Sequence, residues 1–286
     1  MITSKQIQWF PGHMTKAKRQ MEENLKKVDF VIEIRDARMP RSSQNPMLDS
    51  LVQAKPRLIL LSKKDKANPQ ATQEWIDYLE KDDHIKVLAL DLIKDNYKKE
   101  LTSASQQLCH NLIEKQKRRG IRPRALRAMV CGIPNVGKST MINTLARRKA
   151  AQAADRPGVT KSLQWIRLNQ DLELLDTPGV LWPKFEDPEI GLRLALLGSI
   201  RDEVVSMDDL AFFACEWMME HDPEALRKTY DIEIQTTVYN TLKEIARKRG
   251  YLVKGDIDEN RLMKSFVKDV RDNKCGRITW EFPEND

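Results

Sequence analysis

The apolar run LRAMVCG (Leu126 to Gly132) passes directly into GIPNVGKS (Gly132 to Ser139), and a helical pattern follows from about Lys138 to Arg147. This G-x-x-x-x-G-K-S spacing constrains the fold more than any other feature, because its chemistry works only where a buried strand ends and a helix begins. At that junction the unpaired N–H groups of the first helical turn converge on an anion. The glycines let the backbone curl around it with no side chain in the way. Lys138 is then placed to reach the β- and γ-phosphates of a nucleotide and to offset charge during transfer, and Ser139 to ligate Mg²⁺. Asn135, Val136, Gly137 and Thr140 complete the expected cradle. The alternative is a glycine-containing turn with a chance Lys-Ser, which the flanking strand and helix disfavour.

Two later segments supply the partners such a loop needs. In LLDTPG (Leu174 to Gly179), Asp176 at a strand end is suited to the metal side, and the Gly179 N–H to the γ-phosphate. Between the two motifs lies RPGVTK (Arg156 to Lys161), whose Thr160 is the candidate to close over Mg²⁺ when a γ-phosphate is present, as an ordering switch does.

An unexpected order appears upstream. RLILLSKKD (Arg57 to Asp65) has an apolar strand feeding Ser62-Lys63-Lys64-Asp65, the form of a guanine-reading loop, yet it precedes the phosphate loop. Asp65 would accept from guanine N1–H and the 2-amino group together; adenine offers neither donor, so a carboxylate discriminates through its unsatisfied oxygens. Lys63 would lay its aliphatic stem along the base. Taken alone, the tetrapeptide is also readable as a basic turn. It departs from N/T-K-x-D at Ser62, and a hydroxyl makes fewer bonds than a carboxamide, so Ser62 is expected to weaken nucleotide affinity without changing the base selected.

Strand and helix patterns alternate through this region: FVIEI (Phe30 to Ile34), RLILLS, a helix from Gln70 to Glu80, IKVLAL (Ile85 to Leu90), and one long basic helix from about Lys98 to Arg119. LQWIRL and LELLDTPG follow as paired strands. The alternation predicts an α/β domain with a doubly wound, mostly parallel sheet. After Trp182 the pattern becomes helical: Asp208 to Met219, Glu224 to Tyr230, Gln235 to Arg249 and Glu259 to Arg271, with start signals at Ser206 or Asp208 and at Asp222-Pro223. The expected division is 1–182 for the α/β domain with its N-terminal histidine segment, and 183–286 for a linker helix and a smaller all-helical domain.

Composition narrows the partners. The 286 residues are 41% hydrophobic and 32% charged, with a mean hydropathy of -0.57. No apolar run approaches the roughly 18 residues a membrane span requires, and the N-terminal stretch lacks a signal-peptide core. Cys109, Cys131, Cys215 and Cys275 have no metal-ligand spacing and fit a reducing cytoplasm. The net charge of +7 is concentrated at Lys16 to Arg19, Lys115 to Arg127, Arg147 to Lys149 and Lys243 to Gly250. Each cluster is readable as a solvated helix face or as a neutraliser of nucleic-acid phosphates.

WFPGHM, DARMP, GIPNVGKST, RPGVTK and LLDTPGVLWPKFED, in that order over the first 190 or so residues (about one domain plus its linker), resemble the bacterial ribosome biogenesis GTPase A family, whose members are circularly permuted P-loop GTPases. The resemblance implies GTP and GDP as ligands, Mg²⁺-dependent hydrolysis stimulated by the ribosome, and a partner in the late precursor of the large ribosomal subunit, its rRNA and proteins. It also implies a helical, RNA-contacting C-terminal part and release after maturation. A soluble cytoplasmic protein, monomeric off the ribosome and without membrane contact, is expected.

Some roles follow only from that resemblance. It maps a catalytic histidine onto His13, which the residues alone equally allow as a turn residue beside Trp9 and Phe10. The need is real, because the position where Ras-like enzymes carry a water-orienting glutamine holds Val180. Near-neutral imidazole can accept from water or donate to developing charge. Asn135 is the residue implied to hold K⁺ near the phosphates, with a loop-stabilising amide as the alternative. A second guanine-loop contact falls by position near Asp91. Two rival readings stay open: an RNA-binding assembly factor using GTP as an occupancy signal, and an ATP-using P-loop protein, which Asp65 argues against.

Overall fold

Leu126–Cys131, the run ahead of the glycine loop, is a buried strand inside a six-stranded sheet. The computed structural model describes residues 19, 21–52, 55–146, 164–177, 187–200 and 202–284. In chain order the strands are β1 (Phe30–Asp36), β2 (Arg57–Ser62), β3 (Ile85–Leu90), β4 (Leu126–Cys131), β5 (Gln164–Arg167) and β6 (Leu172–Asp176). They lie side by side as β3-β2-β1-β4-β6-β5. All neighbours are parallel except β5 against β6, which are antiparallel. The continuous apolar runs of β1, β2 and β4 suit strands covered on both faces.

Counting strands from β4 instead of β1 turns this order into 6-5-4-1-3-2. A sheet with β4 as its first strand is thus an unbroken doubly wound sheet whose chain begins elsewhere. The order reverses at β4, and the crevice beyond the carboxyl ends of such strands is where ligands bind in this architecture. The carboxyl ends of β1, β2, β4 and β6 share that edge.

Among the described residues, five helices of this unit have both ends defined, α1 (Pro46–Val52), α2 (Pro69–Leu79), α3 (Lys98–Leu108), α4 (His110–Arg118) and α5 (Lys138–Ala146), and residues 21–25 are also helical. Asn68 caps α2 by accepting from Gln70 and Ala71 N–H, with Pro69 at the first helical position. The single helix expected over 98–119 is two. Cys109 departs from helical dihedrals at φ -97°, ψ 16°, with its side chain buried, although its N–H still bonds to Ser105 O and its carbonyl accepts from Ile113 N. On either side the apolar face changes: α3 buries Leu101, Ala104 and Ser105, whereas α4 buries nothing. The short α1 has too few turns to register as periodicity. Its Leu48 and Val52 join Met21, Leu25, Val28, Val31, Met129 and Leu175 in one core cluster.

The described chain separates into two compact units. Residues up to Thr177 and the final stretch Glu281–Glu284 form the α/β unit; those from Asp187 to Trp280 form the helical one. The tail therefore sits with the α/β unit although its neighbours in sequence do not. In the helical unit are α6 (Pro188–Leu196), α7 (Met207–His221), α8 (Pro223–Tyr230), α9 (Val238–Arg249) and α10 (Glu259–Arg271). Ser206 caps α7 and Asp222 caps α8, and Thr237 and Asp258 cap α9 and α10. A two-residue hairpin, β7 (Leu252–Val253) with β8 (Asp256–Ile257), is the one departure from an all-helical unit among the described residues. Buried Asp269 gathers Tyr230 Oη at 3.3 Å, Arg249 at 3.2 Å and Lys274 Nζ at 2.6 Å.

No helix of the described residues is long and apolar enough to cross a membrane. All four cysteines are buried and unpaired. Burial pushes the Cys109 and Cys215 thiols up to about 12, so they stay protonated at neutral pH, where only a thiolate reacts. Ellman's reagent at pH 8 is therefore expected to titrate essentially no thiol in the native protein and all of them in denaturant. Fast stoichiometric labelling of the native chain would contradict this packing.

Candidate functional site

The glycine loop is shaped by close contacts and backbone angles that favour glycine. Gly132 has φ +152°, and a Cβ added there would stand 2.6 Å from the Ile34 carbonyl oxygen of β1. Gly137 has φ +104°, and its added Cβ would meet Leu92 Cδ1 at 2.9 Å. Between them Asn135 takes a left-handed conformation at φ 62°, while Ile133 and Val136 are buried beneath the loop. Lys138 and Ser139 open α5, so the lysine, the hydroxyl and the first-turn N–H groups share one helix start.

The Ser62–Asp65 segment meets this loop directly. Ser62 is fully buried, and its Oγ lies 2.6 Å from Val136 O and 3.0 Å from Arg35 O. With one proton, the hydroxyl donates to one carbonyl at a time, the closer being that of the phosphate loop. Lys63 Nζ donates to Asn135 O at 2.8 Å. Residues 62–63 and 135–136 are thus tied together despite their separation in sequence. Lys63 itself is left-handed, with φ 58° and ψ 35°, ahead of a 3-10 turn at Lys64–Lys66 that carries half-buried Asp65. Lys64 Nζ pairs with Asp95 Oδ2 at 2.6 Å.

Asp91 sits beside this cluster, but its Oδ1 accepts from Ile93 N at 3.0 Å and Lys94 N at 3.2 Å, holding its own loop. The same loop reaches α5 through Thr144 Oγ1, which donates to Leu92 O at 3.1 Å.

Sequence reasoning assigned no role to Asp36 and Arg38 of DARMP. Asp36 is fully buried at the end of β1. Its carboxylate accepts from Arg38 Nε at 2.9 Å and Nη2 at 2.8 Å, and pairs with Lys63 Nζ at 2.9 Å. Burial alone would raise this carboxyl, but the Arg38 guanidinium and the Lys63 ammonium more than reverse that and hold it well below the usual carboxylate range. The available signal was an Asp-x-Arg directly after an apolar strand.

On the other side of the loop, Lys138 and Asp176 are both buried. Burial pushes the Lys138 ammonium down and the Asp176 carboxyl up, and each partly offsets the other. Asp176 Oδ1 has no hydrogen-bond partner among the described residues. Thr177 Oγ1 donates to Val130 O at 2.8 Å, fixing the residue after β6 on β4. An orphaned buried carboxylate oxygen beside a phosphate loop is costly unless a cation meets it, and oxygen donors of this kind suit Mg²⁺. His13, Thr160 and Gly179 lie outside the described residues.

Comparison with known proteins identifies the family. A family model described as 50S ribosome-binding GTPase matches residues 127–248. Its range starts at the phosphate-loop strand and leaves Ser62–Asp65 outside. The curated Ribosome biogenesis GTPase A of Bacillus licheniformis is 44% identical over 98% of this chain and 99% of its own length. That of Priestia megaterium is 45% identical over 97% of each. The chain belongs to the ribosome biogenesis GTPase A family. It is accordingly a P-loop GTPase involved in ribosome biogenesis. Among solved structures, GNP-bound YlqF from T. maritima has a TM-score of 0.61 at 29% identity, with 95% of this chain and 100% of that one covered. The GDP-bound form has a TM-score of 0.63 at 28% identity, covering 93% and 100%.

As a family member, the chain should tolerate no side chain at the close approach of β1 and the phosphate loop. Gly132→Ala is expected to cost about 1–3 kcal/mol through the clash with Ile34 O, and to weaken GDP binding. Urea midpoints and GDP titration check both; an unchanged midpoint would show that the approach is looser than drawn.

Proposed function

We propose that this chain hydrolyses GTP during late assembly of the large ribosomal subunit. It binds precursor particles, their rRNA and ribosomal proteins, in the GTP state, and leaves after hydrolysis that the particle stimulates. It acts in the cytoplasm as a monomer away from the ribosome. The observation that carries the reading is the union of a guanine-type loop with a phosphate loop through Ser62 and Lys63. The names of the relatives support the ribosomal context. The working division remains a GTPase domain at 1–182 and a helical ribosome-contacting domain at 183–286.

In this reading Asp65 selects guanine, with Ser62, Lys63 and Lys64 shaping its loop and Asp91 bordering it. Asn135, Val136, Gly137, Lys138, Ser139 and Thr140 hold the phosphates, and Gly179 meets the γ-phosphate. Ser139, Thr160 and Asp176 are the residues that would hold Mg²⁺, which when bound neutralises phosphate charge. Lys138 brings its ammonium to the same phosphates from a buried position, where charge is felt strongly. His13 positions or polarises the attacking water, since Val180 cannot. Asn135 is the proposed K⁺ ligand.

The surface supports an RNA partner. Lys115, Arg118, Arg119 and Arg122 are exposed and make no ion pair among the described residues. Neighbouring Lys117 and Arg124 are neutralised by Glu114 and Asp29. Unpaired, clustered cations are what a phosphate backbone rewards. Replacing Arg118, Arg119 and Arg122 by Ala should weaken RNA binding and reduce the slope of log affinity against log salt by about 2–3. An unchanged slope would move the RNA surface elsewhere.

The decisive measurement is GTP turnover titrated with mature and immature large subunits. Saturable stimulation is expected, lost in His13→Ala with GTP binding kept. A flat response would leave the occupancy-signal reading. Equal rates in K⁺ and Na⁺ would remove the K⁺ role of Asn135, and ATP displacing bound GDP would remove guanine selection by Asp65.

A further inference from the structure

The loop joining β1 to α1 is held far more firmly than a surface connection needs. Arg35, paired in the buried strand with Glu33 at 3.0 Å, donates through Nη1 to Gln44 Oε1 at 3.0 Å and Pro40 O at 3.4 Å. Ser43 Oγ accepts from Asp36 N at 2.9 Å and donates to Met39 O at 2.6 Å. The remaining hold comes from the end of the chain. The Glu281 carboxylate, only 8% exposed, accepts from Arg41 N, from Ser42 N at 2.9 Å and from Ser42 Oγ at 2.6 Å. Trp75 Nε1 donates to Glu281 O at 3.0 Å, and Arg41 pairs with Glu284 while lying 5.8 Å from the Trp75 ring centre. A buried carboxylate persists only where donors meet it, so the position of Glu281 is specified by this loop.

The loop in turn leads to the nucleotide side. Ser42 adjoins Ser43, Ser43 fixes the Asp36 backbone, and the Asp36 carboxylate meets the same Lys63 ammonium that donates to Asn135 O. Asp36 also ends β1, the neighbour of β4 where the strand order reverses and ligand crevices form.

We propose that the C-terminal tail is a working part of the guanine side of the site, with Glu281 and Asp36 as positioning residues. Glu281 sets the 37–45 loop, the loop sets Asp36, and Asp36 holds Lys63 against the phosphate-loop carbonyl. The proposal rests on the reading of Ser62–Asp65 as the guanine loop. Lys63 has a left-handed backbone, a conformation that a non-glycine residue keeps only when its surroundings over-determine it. Two acceptors on one ammonium supply that constraint; one acceptor leaves the lysine free to swing.

The test is binding of N-methylanthraniloyl-GDP to the full chain, with thermal melts of every variant. Asp36→Asn is expected to weaken binding about 10- to 100-fold, since hydrogen bonds to charged groups are the strong ones. Glu281→Gln should weaken it about 3- to 10-fold by the same reasoning at one remove. Ser42→Ala removes one donor and no charge, and keeps the test open if Asp36→Asn does not fold; a loss of about 2- to 3-fold is expected. In a Lys63→Ala background the Asp36 and Glu281 substitutions should each change affinity by less than about 2-fold, because residues on one path are not additive. Lower melting points with GDP affinity unchanged would make the tail a structural clasp and overturn the proposal. So would full, additive losses in the Lys63→Ala background. Unchanged GDP affinity in Lys63→Ala by itself would instead sink the guanine-loop reading.

Discussion

The proposed nucleotide site of this protein rests on the closure of one loop against another: Ser62 Oγ on the Val136 carbonyl and Lys63 Nζ on the Asn135 carbonyl. Both carbonyls belong to the turn between β4 and α5, whose helix start presents N–H groups to an anion. A loop that spends its N–H groups on a ligand must satisfy its carbonyls elsewhere. Here the guanine-side segment supplies the donors. The substitution of serine for the usual asparagine is consistent with this use, since a small hydroxyl fits fully buried between β1 and the phosphate loop.

That closure explains why a rearranged chain order is tolerable. The contacts that build the site are made by the carboxyl edge of a parallel sheet, and they depend on which strands are neighbours. β1, β2 and β3 on one side and β4, β6 and β5 on the other meet at the β1–β4 pair, in parallel register from Phe30 opposite Ala128 to Glu33 opposite Cys131. Gly132 seals that seam by letting the backbone touch Ile34 O. Moving the chain start changes which loops are covalently joined and leaves this seam intact.

Charge is used unevenly across the molecule. The buried carboxylates Glu33 and Asp36 are matched by Arg35, Arg38 and Lys63, as burial of ions requires. Asp176 is the contrasting case, with one buried oxygen unmet among the described residues and its carboxyl pushed up by burial. The first set holds the strand ends in shape, and the second is the carboxylate proposed above to hold Mg²⁺.

Much of this was legible from residues alone. The six strands, the phosphate loop and the caps at Ser206 and Asp222 rest on local pattern, and apolar runs and cap chemistry are local properties. The break at Cys109 was not legible, because it depends on a change of buried face between α3 and α4. Helix α1 was too short for periodicity. Asp36, Arg38 and Asp95 were missed because a charged residue after a strand reads as solvated until its neighbours in space are known. Glu281 was missed for the same reason over a longer span. The sequence by itself determined the phosphate-loop motif, the proposed base-reading carboxylate Asp65 and the permuted order of the two, since each is read from residue type and spacing. Only the tertiary structure decided that Lys63 is held by Asp36 and that the C-terminal tail braces the loop behind it, because long-range pairing is a consequence of which strands lie side by side.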